Sequence, residues 1–246
     1  MIQSFSFLLP DWIYNTIVLV GSSAVLWTFY RGVEPTVIAY DDHDHDYESR
    51  KKLKRRKSWI LTLFVATVTS FASIPCVYSS GVLHGWSSES MYFRTLFTDT
   101  VVLFYTSYLL LDSLLMVREY PTERMMGWVH HVGYLVANIV AFIYGITDLF
   151  CYGFLVEIPT VYLSLGYIWP ETQRRDNLTY ILFFLFRVVF HGWMIYVLYK
   201  TRDASPIPIL YLVIILPWLM HLEWFYKMTL AILGRRRRRS HRQPTH

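Results

Sequence analysis

Residues 96–144 read LFTDTVVLFYTSYLLLDSLLMVREYPTERMMGWVHHVGYLVANIVAFIY. The run 96–117 is almost wholly apolar, 118–125 is short and charged, and 126–144 is apolar again. A membrane-spanning helix needs about 20 mainly apolar residues, because the hydrocarbon layer is roughly 30 Å thick and each residue rises about 1.5 Å. Each run therefore predicts a spanning helix, and the short link between them predicts antiparallel neighbours. Three residues are out of place in hydrocarbon: Asp112 near the end of the first run, and His130 with His131 near the start of the second.

The same pattern recurs on both sides. Runs at 12–30, 58–77, 148–168, 178–199 and 207–233 bring the expected total to seven transmembrane helices, an all-α polytopic membrane protein. Pro217 interrupts the last run, and His221, Glu223 and Lys227 follow it. One kinked helix is expected there, since neighbouring groups can satisfy a carbonyl freed by proline. The fourth and fifth runs are separated only by Gly145, Ile146 and Thr147, which predicts a tight hairpin.

Composition supports the reading. Apolar residues make up 54% of the chain and charged ones 17%, against about 25% charged in soluble domains. The charges cluster in 31–57 and 234–246, leaving long apolar stretches between. This excludes a disordered chain, a collagen, a coiled coil and an ordinary water-soluble enzyme. Cys76 and Cys151, both in apolar runs, are too few for a disulfide scaffold or a cysteine zinc site.

Basic residues resist translocation and stay cytoplasmic. Seven spans divide the connecting segments into two sets. Of the 23 Lys and Arg, 18 fall in 31–57, 118–125, 169–177 and the tail, and only Arg94, Lys200 and Arg202 in the opposite set. Arg187 and Lys227 lie within spans. The N-terminus is therefore expected on the lumenal or external side and the C-terminus in the cytoplasm. No basic segment precedes the first span, which suits an uncleaved anchor better than a signal peptide. The sequon Asn177-Leu178-Thr179 falls on the cytoplasmic side and should carry no glycan. Three parts are expected: 1–57, the first helix with a basic cytoplasmic loop; 58–233, a six-helix domain; and 234–246, a polybasic cytoplasmic tail.

Segment 41–57, DDHDHDYESRKKLKRRK, joins an acidic histidine block to a basic one. His43 and His45 have metal-ligand chemistry, but a floppy loop fixes no coordination geometry, so a solvated linker is expected and no metal site. The basic half and Arg235–Arg239 suit the anionic cytoplasmic leaflet, not nucleic acid.

Charged groups within a bilayer cost roughly 2.5–3.5 kcal/mol on insertion scales, so they tend to face a bundle interior or a polar pocket. By helical rise, Asp112 lies about 9 Å and His131 about 10 Å below the cytoplasmic surface. Asp112 with His130 and His131 is thus the leading candidate for chemistry. A carboxylate that bonds one imidazole nitrogen fixes the tautomer and leaves the other as base, nucleophile or ligand. Glu157 and Arg187 lie deeper, at about 18 and 15 Å, on adjacent spans, and are expected to pair. Glu223 and Lys227 can pair within one helix as i,i+4 neighbours. This deeper layer serves either to hold helices in register or to hold a substrate headgroup. His84 is placed in a lumenal loop, and His191 and His221 are expected as isolated, packed or bonded residues.

Nine histidines do not make a di-iron enzyme here: neither HxxxH nor the HxxHH of fatty-acid elongases occurs, and residues 127–131 read GWVHH. The ordered set is another matter. Asp112 in YLLLDSLL, His130-His131 in GWVHHVGY, Glu157 in LVEIPTVYL and Arg187 in LFRVVF together resemble the TLC-domain family. That family includes ceramide synthases, translocon-associated lipid-binding proteins and smaller lipid-homeostasis proteins. The resemblance covers roughly 58–233.

Through the ceramide synthases, it implies acyl-CoA-dependent N-acyl transfer to a sphingoid base, without a resident cofactor. His130 or His131 would be nucleophile or general base, Asp112 would orient it, and Glu157 and Arg187 would bind substrate. The chain reads HHVGY where those enzymes read HHxxT, and TDLFCYGFLVE has Cys151 where they have a second aspartate. In length and acid pattern it is more similar to the smaller relatives. The alternative role is a non-catalytic protein that binds lipids or regulates their composition. Endoplasmic-reticulum residence and a homo-oligomer are compatible with either.

Overall fold

The computed structural model describes residues 11–38, 47–79, 94–119, 125–169, 176–205 and 207–240, with backbone alone at 34–38, 47–53, 119, 125–126, 176 and 235–240. His43, His45 and His84 lie outside the described residues. Every regular element among the described residues is helical. In order these are α1 (Asp11–Ile38), α2 (Tyr47–Val77), α3 (Leu96–Glu119) and α4 (Met125–Ile143). α5 is a composite: a helix over Thr147–Gly153, a 3-10 turn over Phe154–Glu157 and a helix over Ile158–Ile168. α6 is another, with Asp176–Phe183, a π-helical run over Phe184–Phe190 and His191–Lys200. α7 runs over Leu210–Ser240, through Pro217.

Among these, five stretches are long and apolar enough to cross a membrane: Asp11–Val33, Lys54–Val77, Leu96–Arg118, Thr147–Ile168 and Asn177–Lys200. Gly127–Ile143 is a shorter apolar helix. Large apolar side chains such as Phe71, Leu114, Ile143 and Leu216 are exposed along these helices, a surface that lipid covers and water does not. The protein is a multi-pass, all-helical membrane protein.

Residues 31–57 are not a loop throughout, because α1 continues to Ile38 and α2 begins at Tyr47. The basic half of the segment, Arg50 to Lys57, is the first part of α2. Lys and Arg are good helix formers, so a helix that leaves the apolar layer has no reason to stop there. The tail behaves likewise, with α7 helical as far as Ser240.

The chain divides into two compact units, Met1–Phe154 and Leu155–His246. In the first, α3 is central. It packs against α1, α2, α4 and the start of α5, and buries Val102, Tyr105, Leu109 and Leu115. α2 contributes Leu61, Val65, Ala66, Thr69, Ser70 and Ser73, a stripe at three- and four-residue spacing rich in small and hydroxyl side chains. Lipid tails are as apolar as leucine, so close packing and polar contacts, not water exclusion, hold such helices together. Ser107 illustrates the point: its hydroxyl reaches the Leu19 carbonyl of α1 at 3.1 Å.

The link from α4 to α5 closes on Gly145, whose φ is +66°. The Gly145 amide donates to the Phe142 carbonyl at 3.3 Å and the Ile146 amide to the Ala141 carbonyl at 2.9 Å. This pair of bonds is a Schellman motif, which needs a left-handed residue after the helix. The three-residue link is the tight turn expected, and α4 packs on the first part of α5.

In the second unit, the remainder of α5 packs on the first part of α6, and α6 packs on α7. Irregular backbone is tolerated within a membrane only where protein groups satisfy it. The Trp218 indole donates to the Val188 carbonyl of the π-helical run at 2.9 Å, and Gly192 leaves room for that ring.

Candidate functional site

Two polar clusters lie inside the helices, one in each unit. In the first, Asp112 of α3 and His131 of α4 are both buried, with Asp112 Oδ2 3.4 Å from His131 Nε2. The Ser58 hydroxyl of α2 approaches Asp112 Oδ1, also at 3.4 Å. The other ring nitrogen, His131 Nδ1, lies 3.3 Å from the Ser113 hydroxyl. Proton positions follow from the chemistry of the partners. A carboxylate only accepts, so Nε2 carries a proton; in a neutral imidazole Nδ1 then accepts, and Ser113 donates. α3 thus holds the imidazole of α4 at both nitrogens, with its tautomer set by Asp112, and α2 reaches the carboxylate through Ser58.

His130 faces differently. Successive residues on a helix point about 100° apart, and the His130 ring packs on Tyr134 at 4.6 Å, with the two histidine rings 5.7 Å apart. The expected convergence of one carboxylate and both imidazoles is therefore divided: His131 meets Asp112, and His130 joins an aromatic row through Tyr134 to Tyr105. Tyr108, whose hydroxyl bonds Thr62 at 3.0 Å, lies beside the His131 ring. Sequence reasoning passed over Ser58, Ser113, Tyr108 and Tyr134. For Tyr134 the signal was present, since it stands four residues after His130. Ser58 comes from a distant helix and gave none.

The second cluster forms where two irregular segments meet. Pro159 lacks an amide proton, and the 3-10 turn Phe154–Glu157 precedes it. Arg187, in the π-helical run of α6, donates through Nε to the Val156 carbonyl at 2.9 Å. Its Nη2 donates to Thr160 Oγ1 at 2.6 Å and lies 3.4 Å from Glu157 Oε2. Thr160 in turn donates to Glu157 Oε2 at 2.7 Å. The guanidinium is flanked by the rings of Phe183 and Trp224, at 5.3 and 5.8 Å. Glu157 and Arg187 are both buried and do pair, through one carboxylate oxygen. The other oxygen, Oε1, is buried and has no hydrogen-bond donor among the described residues.

His191 and His221, expected to stand apart, are partners: their Nδ1 atoms are 3.1 Å apart. His191 Nε2 lies 3.2 Å from the Ile214 carbonyl, three residues before Pro217. A carbonyl only accepts, so Nε2 carries a proton, and in the neutral ring Nδ1 accepts from the Nδ1–H of His221. Sequence spacing could not show this, because 30 residues and a change of helix separate the two. Glu223 and Lys227 also pair, but on the exposed side of α7.

Among the described residues no group of three or more His, Cys, Asp or Glu is placed to hold a metal ion. What the first cluster can do is hold one imidazole in a defined tautomer beside a hydroxyl; what the second can do is present a buried carboxylate oxygen next to a fixed cation.

No curated protein matches this sequence. A family model does: residues 55–230 match that of the TLC domain. The matched stretch runs from the basic end of α2 to near the end of α7 and contains every residue of both clusters. The chain belongs to the TLC-domain family of lipid-related membrane proteins.

Proposed function

We propose that this protein acts in lipid metabolism of an endomembrane, the endoplasmic reticulum by preference. On this reading the Asp112–His131 pair carries acyl transfer from acyl-CoA to an amine-bearing lipid of the sphingoid type. The supporting observation is the held imidazole, with His131 Nε2 against Asp112 and Nδ1 against Ser113. An amine entering beside Ser113 would give its proton to His131 Nδ1 as it attacks the thioester carbonyl; the C–N bond forms, the C–S bond breaks, and the thiolate of CoA takes the proton from His131. Asp112 stabilises the imidazolium formed between those steps. His130, packed on Tyr134, lines the approach to that pair. Glu157 and Arg187 serve to bind a lipid headgroup, with Glu157 Oε1 as acceptor for its ammonium or hydroxyl.

The proposed topology has seven spans, the shorter α4 and the charged α7 crossing with the five longer ones, and the N-terminus lumenal. The basic segments support it, as does an α4 that ends on a tight turn, which returns the chain at the opposite face.

A second reading, a non-catalytic binder or regulator of lipids, is favoured by one observation. Both ring nitrogens of His131 are engaged within the protein, as a purely structural histidine would be. His131→Ala separates the two. In cells lacking the endogenous protein, acyl transfer predicts that wild type restores a sphingolipid or acyl-chain pool and that His131→Ala, equally abundant, restores none of it. Equal restoration by the variant removes the catalytic reading. Loss of co-purifying lipid from the variant, with no pool changed by wild type, identifies the binder.

A further inference from the structure

We propose that Cys76 and Cys151 are joined by an intramolecular disulfide at the non-cytoplasmic end of the first unit. They are the two cysteines of the chain. Cys76 sits in the last turn of α2, directly after Pro75, and Cys151 in the second turn of α5. Their sulfurs are 2.9 Å apart, inside the contact distance of two unbonded sulfurs and within about 1 Å of the roughly 2.05 Å of a disulfide. Both side chains are buried, and both thiols lie over the Ala72 carbonyl, at 3.8 and 3.6 Å. Pro75 has no amide proton, so the last turn of α2 is short of one backbone bond.

A separate network fixes the same end of α5. Thr147 donates to Asp99 Oδ1 at 2.8 Å and bonds Thr98 Oγ1 at 2.9 Å, while Arg94 Nε donates to Asp99 Oδ2 at 2.6 Å. α5 is thus held to α3 by this network, with Cys151 one turn further along and facing α2. The two sulfurs thus lie where the ends of α2, α3 and α5 meet.

Which compartment these ends face rests on the topology proposed above, where α2 leaves and α5 enters on the side opposite the basic segments. Disulfides persist on that side and are rare in the cytosol. The chemistry is thiol–disulfide exchange with a glutathione or protein disulfide of that compartment. One cysteine thiolate attacks the oxidant's sulfur, expelling one thiol and leaving a mixed disulfide. The second thiolate then attacks the cysteine sulfur of that mixed disulfide and expels the other thiol. The pair loses two electrons and two protons, and the oxidant gains both. Because both sulfurs are buried once α2 and α5 dock, exchange precedes that docking.

The test is a thiol count on the full-length chain. Cells are quenched in acid, denatured with N-ethylmaleimide, then reduced and treated with polyethylene-glycol maleimide. The expected result is a monomer carrying two adducts, and none when the reduction is left out. Cys76→Ser and Cys151→Ser should each show none under either condition, since the remaining thiol is free and blocked at the first step. Wild-type protein without adducts after reduction overturns the bond, and so does an adduct that survives in either serine variant, which marks a bond to another molecule. A glycosylation sequon appended to the N-terminus, run in parallel, reports the topology by itself: no glycan overturns the topology, whereas a glycan with both thiols free overturns only the disulfide.

Discussion

Arg187 is a buried cation whose every described contact is specific: a backbone carbonyl, a threonine hydroxyl, a carboxylate oxygen and two ring faces. Removing one partner of a buried ion pair is far more damaging than removing both, because the survivor is left charged without compensation. Arg187→Ala should therefore destabilise the protein by about 3–5 kcal/mol. Arg187→Met combined with Glu157→Gln should recover most of that loss. Thermal unfolding in detergent micelles reads both, and a double variant no better than Arg187→Ala would mean that Arg187 acts through the Val156 carbonyl instead of through the carboxylate. At this scale Asp112 and His131 were legible from the chain, as charged and titratable groups that a bilayer penalises. Their neighbours Ser58 and Ser113 were not, since a hydroxyl within a helix bonds its own backbone often enough to attract no notice.

The turn between α4 and α5 is where one residue's backbone decides the course of two helices. Gly145 occupies the left-handed region at φ +66°, and a Cβ there would meet no other atom within 4 Å. The penalty for any other residue is thus conformational, not steric crowding by neighbours. Gly145→Ala should lower stability by about 1–2 kcal/mol, the usual cost of an L-residue in that region, with helix content by circular dichroism unchanged. An unchanged midpoint of thermal unfolding would show that the link adopts another turn. Elements were legible in the sequence in a graded way. Apolar runs announced α1 to α7, and five stretches among them have the length and hydropathy that hydrocarbon demands. The 3-10 turn before Pro159 and the π-helical run around Arg187 left no such mark. They depend on Arg187 and Trp218 reaching across to carbonyls of other segments, and no periodicity within one helix encodes that.

For the whole molecule, the proposed topology puts 18 basic residues on one side of the membrane and three on the other, and the proposed orientation rests on that asymmetry. Asn177, exposed at the start of α6, should remain unglycosylated although it stands in a complete sequon. A mobility shift on endoglycosidase treatment of the wild-type protein would reverse the topology and, with it, the compartment assigned to Cys76 and Cys151. The family match over 55–230 leaves out the whole of α1, which nonetheless packs on α3 through the Tyr14–Thr100 and Ser107–Leu19 contacts. The first helix is thereby part of the first unit's packing and not a detached anchor.

From the chain alone came the helical class, the passage through a membrane, the TLC-domain resemblance and the buried groups Asp112, His131, Glu157 and Arg187. Each follows from a one-dimensional quantity, the length of an apolar run or the cost of a charge within it. Tertiary structure decided what those groups touch. It turned His131 to Asp112 and His130 to Tyr134, paired His191 with His221 across two helices, and set Cys76 against Cys151. Rotation about a helix axis is fixed by packing against neighbours, and a bilayer that is apolar in every lateral direction gives the sequence no second phase to point away from.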